Sequence, residues 1–167
     1  AGGGGGFPMR ARSLSVTLVL VVAAGAAVAG AALGADGGGD AAELECLALN
    51  IYWEARSESP EDQAAVAHVT LNRVASPDFP DTICGVVQEG GETEGECQFS
   101  WWCDGTPDLP ENREAWAEAE RVARSVLSGA TGDPTGGALY YHLDDVSPDW
   151  AAEKQRLAVI GPHVFYK

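Results

Sequence analysis

Leu44-Glu45-Cys46-Leu47-Ala48-Leu49-Asn50-Ile51-Tyr52-Trp53-Glu54-Ala55-Arg56-Ser57-Glu58-Ser59-Pro60-Glu61-Asp62 is the stretch on which the fold turns. Leu44, Leu47, Ala48, Ile51 and Ala55 recur at helical spacing, so an amphipathic helix is expected from Glu43 to about Arg56. Ser59 followed by Pro60, with acids in the next turn, marks a second helix start: serine as N-cap, proline at the first helical position. Two helices therefore meet at a tight corner between Arg56 and Pro60. At about 100° per residue, Glu54 falls beside Leu47 and Ile51 on the apolar face, and Arg56 falls on the other side. A carboxyl group there is desolvated and lies near the negative end of the helix dipole. Both effects favour the protonated form and raise its pKa. A carboxylic acid kept protonated near neutral pH is what cleavage of a glycosidic bond requires, because the leaving oxygen must gain a proton as the bond breaks. The competing reading is that Glu54 escapes to water at the helix end and has no chemical role.

Outward from this corner, the second helix continues through Ala67, Thr70, Leu71 and Val74 and stops at Ser76-Pro77. Asp81 is positioned to cap a short helix over 82–87. The Gly- and Glu-rich run 89–96 reads as a solvated loop, since it lacks the ligand spacing of a calcium loop. Trp116, Ala119, Ala123, Val126 and Leu127 predict a third long helix over 111–128, closed by Gly129. Residues 138–142 and 163–167 are aromatic and β-branched and read as strands after turns at Gly136-Gly137 and Gly161-Pro162. The expected class is α+β, mainly helical with a small antiparallel sheet.

The chain before this domain has a different character. Residues 1–8 are mostly glycine and read as an upstream extension. Arg10 and Arg12 precede an uncharged run over 14–35, so 9–35 reads as an export signal. The small residues at its end favour cleavage, and an uncleaved run of that length would attach the protein to a membrane. Residues 36–42 read as a Gly/Asp linker and 43–167 as the working domain, exported to the periplasm, the cell envelope or the medium. Only eight Lys and Arg follow Ala35, against all 25 Asp and Glu, a net of −17. So acidic a domain repels nucleic acid and anionic lipid, whereas a neutral or zwitterionic polymer remains an acceptable partner. In an oxidising compartment Cys46, Cys84, Cys97 and Cys103 are expected to form disulfides. Three connectivities are open, and the preferred one closes the short aromatic loop with Cys97–Cys103 and pairs Cys46 with Cys84.

Six ordered blocks of this chain resemble the SleB/CwlJ-type cell-wall hydrolase family. They are 47–56, Leu71-Asn72-Arg73-Val74, Cys84-Gly85-Val86-Val87, Cys97-Gln98-Phe99-Ser100-Trp101, Gly137-Ala138-Leu139-Tyr140-Tyr141-His142 and His163-Val164-Phe165-Tyr166. The resemblance implies a lysozyme-like fold of the lytic-transglycosylase kind. It also implies cleavage of peptidoglycan glycan strands between N-acetylmuramic acid and N-acetylglucosamine, with Glu54 matching the family's catalytic glutamate. Where the family usually has glycine this chain has Ser57, which lacks glycine's easy access to a left-handed helix cap.

The other motifs fit a sugar cleft. Gln98, Ser100 and Trp101 offer amide and hydroxyl groups next to an aromatic face, with Phe99 assigned to the core. In the alternating Tyr140-Tyr141-His142, Tyr140 and His142 are expected on the cleft side. No cofactor is expected. His68, His142 and His163 lack zinc-ligand spacing, which weighs against a zinc-dependent peptidoglycan amidase. The rival from another class is a non-catalytic peptidoglycan-binding or envelope scaffold, whose aromatic cleft holds glycan without cutting it.

Overall fold

The structure, a computed structural model, describes residues 37–91 and 96–167. The upstream extension and the export signal expected over 1–8 and 9–35 lie outside the described residues. Four helices and a three-stranded sheet follow in order: α1 (Gly37–Ala55), α2 (Pro60–Val74), α3 (Ile83–Val87), α4 (Arg113–Leu127), β1 (Tyr140–Leu143), β2 (Arg156–Ile160) and β3 (His163–Tyr166). Short 3-10 turns cover Ser100–Cys103 and Asp149–Glu153. No helix among the described residues is long and apolar enough to cross a membrane.

Helix α1 starts at Gly37, within the stretch expected as linker, and ends one residue short of the expected Arg56. The corner after it is built as the sequence implies. Ser59 accepts from the Asp62 N–H and Pro60 occupies the first turn of α2. No described non-glycine residue has positive φ, so Ser57 needs no left-handed conformation. Instead the orphan carbonyls at the end of α1 find other donors. The Glu58 N–H and the Gln63 side-chain amide both donate to the Ala55 carbonyl, at 3.0 and 3.2 Å, and the same amide lies 3.3 Å from the Glu58 carbonyl. The cap of α3 is Thr82, which accepts from the Gly85 N–H, and not the expected Asp81. Asn112 caps α4 and its own N–H donates to Tyr52 Oη at 3.1 Å, which fixes the start of α4 against α1.

Helix α2 is the centre of the molecule, which explains why most of its length is buried. One side packs with α1, α3 and α4 around Leu47, Ile51, Ala64, Ala67, Val86, Val122 and Val126. The other side, with Ala65 and Val69, packs on Ala138 and Phe165 beneath the sheet. The sheet order is β1-β3-β2, antiparallel throughout. Strand β2 was not expected from the sequence. It pairs with β3 through the turn at Gly161-Pro162, with a bulge between Arg156 and Ala158. Gly161 is required twice over: its φ is +52°, and a Cβ there would meet Asp62 Oδ2 at 2.5 Å. That contact reports how closely the hairpin seats on α2, where the buried Asp62 carboxylate meets His163 Nδ1 at 2.8 Å.

Two disulfides complete the frame. Cys46–Cys84 ties α1 to α3, and Cys97–Cys103 closes the loop before α4, the preferred pairing in both cases.

Candidate active site

Glu54 is the penultimate residue of α1, half-buried, and looks into a cavity of about 230 Å³. Three parts of the fold complete the walls: Arg73 near the end of α2, Tyr141 from β1, and Cys97 to Ser100 from the disulfide-closed loop. Among the described residues no second carboxylate lines this cavity.

Each wall is held by identifiable contacts. The block Leu71-Asn72-Arg73-Val74 anchors the entry to β1: Asn72 donates to Asp133 Oδ2 and to the Ala138 carbonyl, and Arg73 Nε donates to the Leu139 carbonyl at 2.8 Å. Asp133 in turn accepts from Thr135 and from the Gly137 N–H. With residues 138 and 139 fixed to α2, the register Tyr141↔Phe165 turns Tyr141 toward the helices, and its hydroxyl donates to Glu54 Oε2 at 3.0 Å. Phe99 is buried and packs beside the Arg73 guanidinium, while Gln98 and Ser100 stay exposed at the mouth. The Cys97–Cys103 bridge holds this loop in place.

Burial raises the Glu54 pKa above the usual carboxylate value. The Tyr141 hydrogen bond opposes that shift, as do the charges of His163 and Arg73 and, last, the Trp101 indole. Desolvation wins, so the site favours a protonated acid with a donor already aimed at the carboxylate it becomes. Tyr141 itself is pushed well above its ordinary pKa by its burial and by the adjacent Glu54, so it remains a neutral donor.

The other expected residues fall differently. Gln98 and Ser100 share the cavity with Glu54. Trp101, expected on the cleft wall, is mostly buried, and its indole lies near enough to Glu54 to lower the Glu54 pKa. It is 7% exposed, belongs to the main core and stacks on Trp53, because the 3-10 turn after Phe99 rotates it inward. Tyr140 and His142, expected on the cleft side, lie by strand parity on the face opposite Tyr141. There Tyr140 packs with Phe79 and Trp150, and His142 stacks on Tyr166 and meets its hydroxyl at 3.0 Å. The residues that sequence reasoning missed are Tyr141 and Arg73. Arg73 had a signal: at four residues past Val69 and seven past Val66, it shares their buried face of α2. The three histidines are dispersed, His68 on the Thr131 carbonyl, His142 on Tyr166 and His163 on Asp62, and no cluster of metal-ligating side chains occurs among the described residues.

A larger cavity, about 1040 Å³, lies between the start of α1 and the ends of α2 and α4, with an apolar lining including Leu44, Leu71, Val74, Ile83 and Leu127. Of the acids among its lining residues, Glu43 already accepts from the Ile83 N–H at 2.5 Å. It lacks the arrangement of buried acid, positioned donor and polar rim found around Glu54.

The architecture, four helices with a small antiparallel sheet, is lysozyme-like. The chain belongs to the cell wall hydrolase family, whose model matches residues 57–166, a span that begins just after Glu54. It is 37% identical over 128 residues to the spore cortex-lytic enzyme of Oceanobacillus iheyensis, covering 75% of this chain and 41% of that protein. It is 34% identical over 131 residues to the spore cortex-lytic enzyme of Bacillus subtilis, covering 77% and 39%. The chain thus spans about two fifths of the length of these relatives. Among solved structures it is similar to the catalytic domain of the Bacillus cereus SleB protein, with a TM-score of 0.61 and 34% identity over 75% of this chain and 89% of that one. The catalytic domain of the germination-specific lytic transglycosylase SleB from Bacillus anthracis matches with the same TM-score and identity, covering 75% and 93%.

Proposed function

We propose that this domain cleaves peptidoglycan glycan strands between N-acetylmuramic acid and N-acetylglucosamine, with Glu54 as the general acid. The observation that carries this reading is the half-buried carboxyl of Glu54, held toward its protonated form by burial, with Tyr141 Oη 3.0 Å from Oε2 in a cavity rimmed by Gln98 and Ser100. Glu54 gives its proton to the glycosidic oxygen as the bond to the muramoyl C1 breaks, and the electron pair leaves with that oxygen, which becomes the C4 hydroxyl of the departing sugar. The Tyr141 hydrogen bond supports the carboxylate formed in this step.

The absence of a second carboxylate from the cavity lining, among the described residues, departs from the two-carboxylate arrangement of most glycosidases. It favours intramolecular capture: the muramoyl C6 hydroxyl attacks C1, its proton returns to Glu54, and a 1,6-anhydro product forms. This is lytic transglycosylase chemistry; muramidase chemistry would instead place water on C1. A non-catalytic glycan-holding scaffold would be favoured by a Glu54 exposed to water or ion-paired to an arginine, and Glu54 is in neither state. Residues 43–167 are the catalytic domain in this proposal, exported behind the signal at 9–35 and acting in the periplasm, the cell envelope or the medium.

Mass spectrometry of peptidoglycan digested by the protein tests the reading. Anhydro-muramoyl ends are the expected product, reducing muramic acid ends would assign a muramidase, and intact strands would remove the enzymatic assignment.

A further inference from the structure

Arg73 combines three features that a structural arginine on α2 does not require. It is 2% exposed, yet it is one of the residues that line the Glu54 cavity. It makes no ion pair: the charge lies 5.2 Å from the Phe79 ring centroid, 5.4 Å from Phe99 and 5.9 Å from Tyr140. Its single hydrogen bond uses Nε, on the Leu139 carbonyl, and Nη1 is buried with no partner. A guanidinium is a fixed fork of donors with no acceptor, so whatever completes it must bring an oxygen. Buried donors left unmet are rare, and one carried by a residue that lines a cavity points to a ligand atom as the missing acceptor.

We propose that Arg73 is a substrate-binding and specificity residue that donates to the carbonyl oxygen of the 2-acetamido group on the sugar whose bond Glu54 breaks. The inference rests on the glycan-cleaving reading above. Glu54 acts at the oxygen on C1, and C2 is the adjacent carbon. Its acetamido carbonyl is therefore the strong neutral acceptor nearest to the reacting bond. The three rings around the guanidinium fix its plane and exclude water, and the Leu139 contact orients the fork, so the remaining donors meet the carbonyl without reorganisation. A cation in this position also discriminates against a free amine at C2, which is protonated and offers no carbonyl.

The test is kinetic. Wild type, Arg73→Met and Arg73→Lys are assayed on N-acetylated glycan strands and on the same strands after chemical de-N-acetylation, with thermal unfolding of each protein alongside. Wild type is expected to prefer the acetylated strands by about 10- to 100-fold in kcat/KM, the range of a charge-assisted hydrogen bond. In Arg73→Met the preference falls to within about threefold, through loss on the acetylated strands. Arg73→Lys keeps the charge without the fork and shows an intermediate preference, which serves as the readout if the methionine variant does not fold. A purely structural Arg73 lowers both activities by one factor and leaves the preference at its wild-type value in folded variants, and that result overturns the proposal. Wild type cleaving acetylated strands with no preference also overturns it, while leaving the glycan-cleaving reading intact. Cleavage of neither substrate by wild type removes both.

Discussion

Tyr141 Oη donates to Glu54 Oε2 across 3.0 Å of space and 87 residues of sequence, joining the first strand of the sheet to the end of α1. The hydrogen bond favours ionised Glu54, and burial favours the protonated acid. Tyr141→Phe keeps the ring packed on Phe165 and removes only the donor. The Glu54 pKa then rises further, so the fall in activity with rising pH moves to higher pH. The maximal rate drops by roughly 10- to 100-fold, because the carboxylate left after proton transfer loses its partner. A pH–rate profile of the variant checks both effects; a curve superimposable on wild type would contradict the coupling.

The raised Glu54 pKa has a consequence for stability whose sign is fixed. Between the ordinary glutamate pKa and the raised one, the native state keeps a proton that the unfolded chain has released. Unfolding free energy therefore falls with rising pH through that window. Below it both states are protonated and the contribution vanishes. Glu54→Gln removes the cost, so the variant should match wild type at low pH and exceed it in stability above the raised pKa. Denaturant titrations across pH measure this difference, and a variant less stable than wild type at neutral pH would argue against a desolvated acid.

What could be read from the sequence follows from the range of the interactions involved. The Ser59-Pro60 corner, the helices around Leu47 and Trp116, and the apolar-face position of Glu54 depend on neighbours within two turns, and they appear in the fold. The role of Tyr141 is not legible in the sequence, because alternation along β1 separates two faces without saying which one meets α2. That choice is made by Asn72 and Arg73 gripping residues 138 and 139 from more than 60 positions away. Strand β2 is not legible in the sequence because its five residues, Arg156 to Ile160, carry a bulge that breaks their alternation. Trp101 is ambiguous in sequence because aromatic residues suit both cores and sugar sites, and only the fold shows that it stacks on Trp53 with its indole near Glu54.

The two disulfides should separate stability from activity. Cys46–Cys84 spans 38 residues and ties α1 to α3 away from the Glu54 cavity. Replacing both with alanine should lower unfolding free energy by about 3–4 kcal/mol by the chain-entropy relation, with activity retained at low temperature. Cys97–Cys103 spans six residues and holds Gln98 and Ser100 at the cavity mouth. Its loss should cost only about 2 kcal/mol in stability by the same relation, yet reduce turnover at least tenfold. Paired denaturation and turnover measurements check the contrast, and equal losses of activity in the two double variants would defeat it.

The Asp62–His163 pair, at 2.8 Å and almost fully buried, fastens β3 to α2 behind Tyr141. His163→Ala leaves the Asp62 carboxylate buried without its partner and should destabilise the domain by about 3–5 kcal/mol. Chemical denaturation reads this directly, and a loss below about 1 kcal/mol would show that the pair does not hold the hairpin.

The most direct test of the account is the release of muropeptides by Glu54→Gln, set beside wild type and Glu58→Gln, with melting curves for all three. Gln fills the same niche but has no proton to deliver to the leaving oxygen. Release should fall by roughly 10²- to 10⁴-fold or more with the fold intact, while Glu58→Gln cleaves at a rate near that of wild type. Wild-type release from Glu54→Gln, or loss of release in Glu58→Gln alone, would contradict the assignment of Glu54 as the acid.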